Sequence, residues 1–450
     1  MPLGLYISVP FCRTKCTFCN FASDVFSRVV FDRYIARICE EIEHASETAE
    51  QMGGLFERSV DSIYLGGGTP TILEITQLER LFVTVSQNFT ILPGTEMTVE
   101  CAPGTLSGAM VDALAGCGVN RISLGVQSFV DHEAASVGRL HKREIVLGDV
   151  ARLRAAGISN INIDLIAGLP HQSRESWDDS VNELIALNVP HASVYMLEVD
   201  EDSRLGREVM AGGQKYHAHF VPDDDLTADF YEVACERLNA AGIEQYEISN
   251  FARAGYESRH NLKYWTRQPY LGFGVDAHSM LVTAGNVAVR FSNPDALEKY
   301  IAATPQKRVL ISPEAALQET LFLGLRMNRG VRLDDAARVF GEDAVTSFAA
   351  TISESIGDGL LEREGKVVRL TARGRLLSNE VFQKFISPHP SLAGTVLSQP
   401  QNQVMSSRDR SPKADGRGTL RPPEVRVPQE TENVCAISMR NALAGIKLVG

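Results

Sequence analysis

Long apolar runs are absent from this 450-residue sequence, and no stretch approaches the ~20 residues that a transmembrane helix needs. The first residues lack a basic segment followed by an apolar core, so no secretion signal is recognised. With a formal net charge of −12, the chain has no basic excess for phosphate backbones, which argues against a nucleic-acid partner. We therefore expect a cytoplasmic protein without a transmembrane segment, and more than one domain at this length.

Cysteine is scarce and unevenly distributed. Of eight cysteines, Cys12, Cys16 and Cys19 fall within eight residues, whereas the other five stand alone. Evenly spread cysteines in a small secreted domain would suggest disulfides, but a tight cluster in a reducing compartment indicates metal or redox chemistry. The isolated cysteines are typical of small buried apolar residues, except Cys435, which lies in a tail with few large apolar residues.

Apolar runs alternate with amphipathic stretches over the first half of the chain. The predicted strands are 5–9, 60–65, 97–101, 121–126, 160–166 and 192–198. The predicted helices are 31–50, 74–88, 106–115, 144–156, 176–187 and 226–241, and Gly116, Gly157 and Gly242 are expected to end three of them. Continuously apolar strands separated by helices are typical of a covered parallel sheet. Six βα units therefore predict a barrel or a doubly wound sheet.

After about Tyr246 the alternation of predicted strands and helices ends. Residues 246–290 are rich in glycine and aromatics with little helical period, and residues 312–386 are mostly helical. A hairpin over 360–370, turning at Glu364 and Gly365, followed by a helix over 372–385, suggests a small winged-helix-like module. Residues 387–450 are predicted to be a disordered tail with a short helix over 436–449. The chain thus divides into a core (1–240), an extension (241–305), a C-terminal helical module (306–386) and the tail.

Cys12, Cys16 and Cys19 form a C-x3-C-x2-C motif directly after the first predicted strand. Thiolates are the usual ligands of iron–sulfur clusters. Three of them on one loop would hold three irons of a 4Fe–4S cluster and leave the fourth without a protein ligand. Zinc is the alternative, but structural zinc generally takes four ligands, and no His or Cys follows within the next eighteen residues.

Polar residues also stand at the ends of predicted strands. Three successive glycines, 66–68, follow the second strand and would let the backbone approach a ligand closely, although taken alone they favour a structural turn. Glu100, Gln127 and Asp164 interrupt or end apolar strands, where a carboxylate is costly unless it is paired or faces a cavity. Hydrogen-bonded core groups are the alternative. Active sites of barrels lie at the carboxyl ends of strands, so the three together indicate a site.

The cysteine motif, followed along the chain by these segments in this order, resembles the radical S-adenosylmethionine (SAM) superfamily. That resemblance implies an incomplete (βα)6 TIM-like barrel whose 4Fe–4S cluster binds SAM at the open iron. It also implies an electron donor, whose electron cleaves SAM to a 5′-deoxyadenosyl radical. The residues it implies around SAM are Tyr6, Gly67, Gly68, Thr69, Glu100, Gln127, Arg139 and Asp164. Arg139 would pair with the SAM carboxylate or a substrate propionate; a solvated arginine is the alternative.

Within the superfamily, the sequence is similar to the oxygen-independent coproporphyrinogen III oxidase group of porphyrin biosynthesis over roughly residues 3–386. The segments that carry this similarity are 6–12, 66–70, 100–103, 125–129 and 164–170. The porphyrinogen-oxidising members have a fourth cysteine two residues after the third, where this chain has Phe21. They also carry an N-terminal extension of which this chain has almost none.

His260, Tyr264 and Trp265 form an H-N-x-x-Y-W motif that resembles the HemW branch, whose members are regarded as heme chaperones. Imidazole is a common axial ligand of heme iron, so the resemblance implies a heme ligand at His260. A hydrogen-bonded structural histidine is the alternative. The leading hypothesis is heme binding and delivery to an acceptor protein. The alternatives are oxidative decarboxylation of coproporphyrinogen III to protoporphyrinogen IX, and radical SAM chemistry on an unrelated substrate.

Overall fold

The computed structural model of the chain describes residues 1–386. The predicted disordered tail, the helix predicted over 436–449 and Cys435 lie outside these residues. No helix within residues 1–386 is both long and apolar enough to span a membrane.

Six parallel strands form the centre of the molecule. They are β1 (Leu3–Val9), β2 (Ser59–Gly67), β3 (Thr90–Cys101), β4 (Arg121–Gln127), β5 (Asn160–Ala167) and β6 (His191–Met196). They lie side by side in chain order, and every neighbouring pair is parallel. Strands buried on both faces read as apolar runs, and six of the seven residues of β1 are buried. The α/β class and the (βα)6 core expected from the sequence are confirmed, and the barrel is incomplete because β1 and β6 do not pair with each other.

Helices cover the parallel strands. They are α1 (Val29–Glu43), α2 (Ala45–Gln51), α3 (Ile75–Asn88), α4 (Gly108–Gly116), α5 (Asp131–Ser136), α6 (Arg143–Ala155), α7 (Arg174–Ala186), α8 (Arg204–Met210) and α9 (Asp224–Ala240). The helix predicted over 31–50 is two helices, because the backbone leaves helical geometry at His44 (φ −98°, ψ 15°). α4 ends at Gly116, the glycine that was expected to end this helix. The chain turns two residues later at Gly118, whose positive φ a glycine adopts readily.

Further strands extend the sheet at both edges. The elements are β7 (Glu244–Gln245), β8 (Asn250–Ala252), α10 (Arg259–Trp265), β9 (Tyr270–Phe273), β10 (His278–Val282), β11 (Ala288–Ser292), α11 (Leu297–Ile301) and β12 (Lys307–Leu310). β9 lies parallel beside β1 and leads outward to β10, β11 and β12, while β8 and β7 follow β6 at the other edge. The seven-residue α10 has too few turns to show a helical period in the sequence, which is why it was not predicted.

The C-terminal part packs against this extension. Its elements are α12 (Pro313–Arg326), β13 (Val331–Arg332), α13 (Leu333–Phe340), α14 (Glu342–Thr346), α15 (Ala349–Gly357), β14 (Leu361–Glu364), β15 (Val367–Leu370), α16 (Ala372–Leu376) and α17 (Ser378–Ile386). The predicted hairpin is confirmed as β14 and β15, with β13 on the other side of β15. The helix predicted over 372–385 is interrupted at Leu377 (φ −103°, ψ 27°). The segment boundaries at 240 and 305 stay predictions.

Candidate functional site: the carboxyl ends of the barrel strands

The loop that carries the three clustered cysteines follows β1 and is fixed from three directions. The Cys12 amide donates to the Asp24 carbonyl at 3.0 Å, and the Thr17 amide donates to the Val137 carbonyl at 3.1 Å. The Leu205 amide of α8 in turn donates to the Thr17 carbonyl at 2.8 Å. Segments that are distant in the sequence therefore position the cysteine loop.

The thiols of this loop differ in exposure. Cys16 is buried, and Cys12 and Cys19 are partly exposed. Burial raises the pKa of Cys12 to about 11, so its thiolate requires a nearby cation, which iron would supply. Within residues 1–386, no three His, Cys, Asp or Glu side chains are arranged to hold one metal ion.

The three glycines after β2 allow close packing of the backbone around the site. A Cβ on Gly68 would lie 2.7 Å from the carbonyl oxygens of both Val9 and Phe11. Gly67 has a φ of +99°, and a Cβ there would lie 3.2 Å from the Tyr6 hydroxyl. The Thr69 amide donates to the Phe11 carbonyl at 2.8 Å. The glycine segment thus lies directly against the entry to the cysteine loop.

Glu100, at the end of β3, faces the glycine segment. Its carboxylate accepts hydrogen bonds from the Tyr64 hydroxyl and from the Gly67 amide, each at 2.9 Å. Burial, with a further contribution from the charge of Asp164, raises the pKa of Glu100 to about 8. Glu100 therefore holds a proton over much of the neutral pH range when no ligand is present.

Gln127 and Arg139 meet above the ends of β4 and β5. The register of β4 against β5 shifts between Gly125 and Gln127, and Gln127 has a φ of +71°. A side chain on Gly125 would collide with the Arg139 guanidinium. The buried Nε of Arg139 has no hydrogen-bond partner among residues 1–386. A buried unpaired donor on a cation is costly, which points to an anionic ligand group at this position.

Asp164 lies inside the barrel in a polar network. Its carboxylate accepts hydrogen bonds from the side-chain amide of Asn162 at 2.6 Å and from the Ser123 hydroxyl at 3.3 Å. Burial raises the pKa of Asp164 to about 6, although these donors and the Arg139 charge act in the opposite direction. The structure therefore brings Tyr6, Glu100 and Asp164 to the barrel interior, with the glycine segment and Arg139 at its rim.

Several polar residues of this network were missed in the sequence. The Asn162 side chain also contacts the His191 ring at 2.6 Å, and the Ser193 hydroxyl donates to the Asn250 side chain at 2.8 Å. The buried Tyr195 hydroxyl has no hydrogen-bond partner within the described range. A signal was present: Asn160, Asn162 and Asp164 alternate with isoleucines, which places one polar face of β5 toward the interior.

His260, the residue implied as a heme ligand, is fully buried. Its Nδ1 lies 3.1 Å from the Ser62 hydroxyl and its Nε2 lies 2.8 Å from the Tyr264 hydroxyl. Burial, with the nearby Lys263 charge, lowers the pKa of His260 to about 3. Tyr264 and Trp265 are also buried. Contact of this motif with heme would require α10 to move, and the assignment of His260 as a heme ligand stays a prediction.

Comparisons with known proteins define the class. Residues 6–184 match the family model described as the radical SAM superfamily, and residues 311–377 match the HemN C-terminal domain. The solved structure of coproporphyrinogen III oxidase (HemN) from Escherichia coli, a radical SAM enzyme, superposes with a TM-score of 0.74 at 24% identity. It covers 87% of this chain and 91% of that one. The fold is therefore that of a radical SAM protein.

Sequence relatives identify the family within this superfamily to which the chain belongs. The chain is 34% identical to the heme chaperone HemW of Lactococcus lactis, over 86% of this chain and 97% of that protein. It is 30% identical to the heme chaperone HemW of E. coli, over 86% and 98% respectively. The chain belongs to the HemW family of radical SAM proteins. Membership of this superfamily implies a 4Fe–4S cluster and SAM, and the thiols, the glycine segment and the unpaired Arg139 donor fit those groups.

Proposed function

We propose that this protein binds heme and delivers it to an acceptor protein. The observation that carries the proposal is its identity to heme chaperones over almost their whole length. Phe21 supports it, because the porphyrinogen-oxidising members of the group have a cysteine at that position. The acceptor is a protein that takes up heme, and a separate electron donor would reduce the cluster.

The proposal assigns roles to the residues at the barrel rim. Cys12, Cys16 and Cys19 would hold three irons of the cluster. The residues that would line SAM are Tyr6, Gly67, Gly68, Thr69, Glu100, Gln127, Arg139 and Asp164. When bound, the cluster with SAM supplies one-electron chemistry. The chain itself would bind and orient SAM. Arg139 would neutralise the SAM carboxylate, and Glu100 would hold a proton beside the Gly67 amide.

An anaerobic titration of the cluster-reconstituted protein with hemin tests the proposal. We expect the heme absorbance band to saturate near one heme per chain. A parallel incubation with coproporphyrinogen III, SAM and a reductant should yield no protoporphyrinogen IX. Absence of specific heme binding would overturn the proposal, and turnover of the porphyrinogen would establish the oxidase function instead.

A further inference from the structure

The loop between α5 and α6 packs along the cysteine loop. The Thr14 hydroxyl donates to the Gly138 carbonyl at 2.9 Å, and the Thr17 amide donates to the Val137 carbonyl at 3.1 Å. A Cβ on Gly138 would lie 3.8 Å from the Cα of Cys16, so the two backbones are in close contact. The α5–α6 loop and the cysteine loop therefore form one continuous surface.

Two cations on this surface have no acidic partner. Arg13 on the cysteine loop and Lys142 at the end of the α5–α6 loop are both exposed. Neither side chain forms a hydrogen bond or an ion pair within residues 1–386, whereas the neighbouring Arg143 pairs with Glu183. The chain as a whole carries a formal net charge of −12. Arg13 and Lys142 therefore form a local basic surface on an acidic protein.

Exposed apolar side chains lie beside these cations. Leu140 is 72% exposed, and Ile145 in the first turn of α6 is 43% exposed. Leu140 follows Arg139, whose guanidinium lies against Gly125 of β4, so the two neighbouring side chains point to opposite sides of the loop. A single exposed apolar residue is ordinary, but exposed apolar residues flanked by unpaired cations have the composition of a contact surface. The name basic rim is used below for the four residues Arg13, Leu140, Lys142 and Ile145.

The basic rim adjoins the expected iron–sulfur cluster. Arg13 is the covalent neighbour of Cys12, and Gly138 of the adjoining loop packs against the backbone of Cys16. Because electron transfer between proteins slows steeply with distance, a donor that docks here is well placed to reduce the cluster. Complexes between electron-transfer proteins bury little surface, less than about 1,200 Å² in total, so a patch of this size can form the centre of one.

We propose that the basic rim docks the electron donor of the cluster, and that this donor is an acidic protein with a one-electron redox group. The inference rests on the proposed function, which includes a separate donor, and names where that donor binds. In the complex the donor is oxidised by one electron, and the 4Fe–4S cluster is reduced from its 2+ to its 1+ state. Attraction at the basic rim, together with repulsion by the acidic remainder of the chain, would orient the donor.

The heme acceptor is a poorer candidate for this surface. The H-N-x-x-Y-W motif on α10 packs at the start of β1, where a Cβ on Gly4 would lie 3.3 Å from the His260 ring. The cysteine loop follows the other end of β1, and this seven-residue strand is about 20 Å long. A protein that takes heme from α10 would therefore approach the opposite end of the barrel from the basic rim.

Anaerobic stopped-flow reduction of matched variants tests this assignment. The probe is photoreduced flavodoxin, a small acidic protein, and bleaching of the cluster absorbance gives the rate. Arg13→Gln/Lys142→Gln is the test variant. The control is Lys307→Gln/Arg329→Gln, which removes the same charge at exposed positions of β12 and of the turn after α12. We expect flavodoxin to reduce the test variant about tenfold more slowly at low ionic strength, and the control to match the wild type.

Two further measurements separate docking from damage to the cluster. Dithionite, a small reductant that needs no docking surface, should reduce all three proteins at the same rate, and their iron and sulfide contents should be equal. Calorimetric titration with oxidised flavodoxin should show weaker binding by the test variant only. Added salt should slow the reduction of the wild type and of the control more than that of the test variant, because salt screens the charges that the test variant lacks.

The outcomes separate this inference from the proposed function. Equal flavodoxin rates in the test and control variants would overturn the inference, as would a wild type that flavodoxin does not reduce. Slower heme transfer from the test variant to an apo-globin, with unchanged cluster reduction, would assign the surface to the acceptor and also overturn it. In each of these cases hemin binding by the wild type would leave the chaperone function standing. A wild type that binds no hemin would end the chaperone proposal, while the reduction rates would still decide whether the donor docks at the basic rim.

Discussion

At the scale of single residues, the cysteine loop gives the most direct indication of an iron–sulfur cluster. Cys12 is buried enough that its pKa is raised, and three thiols follow one strand with the spacing of an iron–sulfur motif. The isolated cysteines, such as Cys117 at the end of α4, belong to no such motif. We therefore propose a ligand role for the three clustered thiols only.

Replacing Cys16 by Ala removes one thiolate of the three. We expect the anaerobically reconstituted protein to lose most of its cluster absorbance and of its bound iron and sulfide. Cys117→Ala, which removes a single cysteine outside the motif, should retain both. Unchanged iron and sulfide in Cys16→Ala would show that the cluster is held elsewhere.

Arg139 gives a separate test of the SAM site. A hydrogen bond to a charged group contributes about 1.5–3 kcal/mol, so Arg139→Gln should weaken SAM binding by about 10- to 100-fold. Arg143→Gln is the matched control, because Arg143 is a nearby surface arginine paired with Glu183. Calorimetric titration with SAM measures the difference. Equal affinity in the two variants would remove Arg139 from the site.

The raised pKa of Glu100 predicts a pH dependence of stability. The folded protein holds a proton on Glu100 up to about pH 8, whereas the unfolded chain releases it near the usual pH of 4.5. The contribution of Glu100 to stability is thus complete at low pH and is lost as the pH rises toward 8. The slope is at most about 1.4 kcal/mol per pH unit.

Urea unfolding at several pH values without SAM measures this effect. Between pH 5 and 8 the free energy of unfolding of Glu100→Gln should fall less than that of the wild type. Glu50→Gln, at an exposed position of α2, should retain the wild-type slope. Identical slopes in all three proteins would mean that Glu100 ionises normally in the fold.

At the scale of elements, the glycine segment joins the end of β2 to the cysteine loop. A Cβ at Gly68 would overlap two carbonyl oxygens, so Gly68→Ala should lower the free energy of unfolding by about 1–3 kcal/mol and reduce the iron content after reconstitution. Gly108→Ala, at the start of α4, meets only open space and should cost nothing. Full stability and iron content in Gly68→Ala would contradict the packing described.

The parallel core could be predicted from the sequence because segments rich in apolar residues alternate with amphipathic helices. The structure places each of these six strands within a few residues of its prediction, apart from the longer start of β3. α10 and the split at His44 could not be predicted. The first is short and depends on Glu96, which accepts from the amides of Arg259 and His260, and the second is a local change of backbone angle.

The residues of the candidate site likewise fall into two groups: those that the sequence alone indicated and those that only the fold brings together. The cysteines and glycines stand in contiguous motifs, so sequence alone indicated them. The polar network around Asp164 joins residues that are far apart in the chain, and only the fold brings them together. The buried state of His260 also depends on contacts from β2 that no local pattern reveals.

At the scale of the whole molecule, α10 connects the barrel to the C-terminal part. Lys263 pairs with Asp61 of β2 at 2.7 Å, and the Arg326 guanidinium lies 4.3 Å from the Trp265 ring. Arg326 also pairs with the fully buried Glu247 at 2.6 Å. The H-N-x-x-Y-W motif therefore joins two packed parts of the chain, which explains its burial without a ligand.

Under the proposed function, heme is cargo for transfer and not a resident cofactor. Mixing the hemin-loaded, cluster-reconstituted protein with an excess of an apo-globin, followed by separation of the two, tests this most directly. We expect heme to move to the globin and the chain to remain intact with its iron–sulfur cluster. Heme that stays on this protein in the presence of excess acceptor would contradict a chaperone and would describe a heme-containing protein instead.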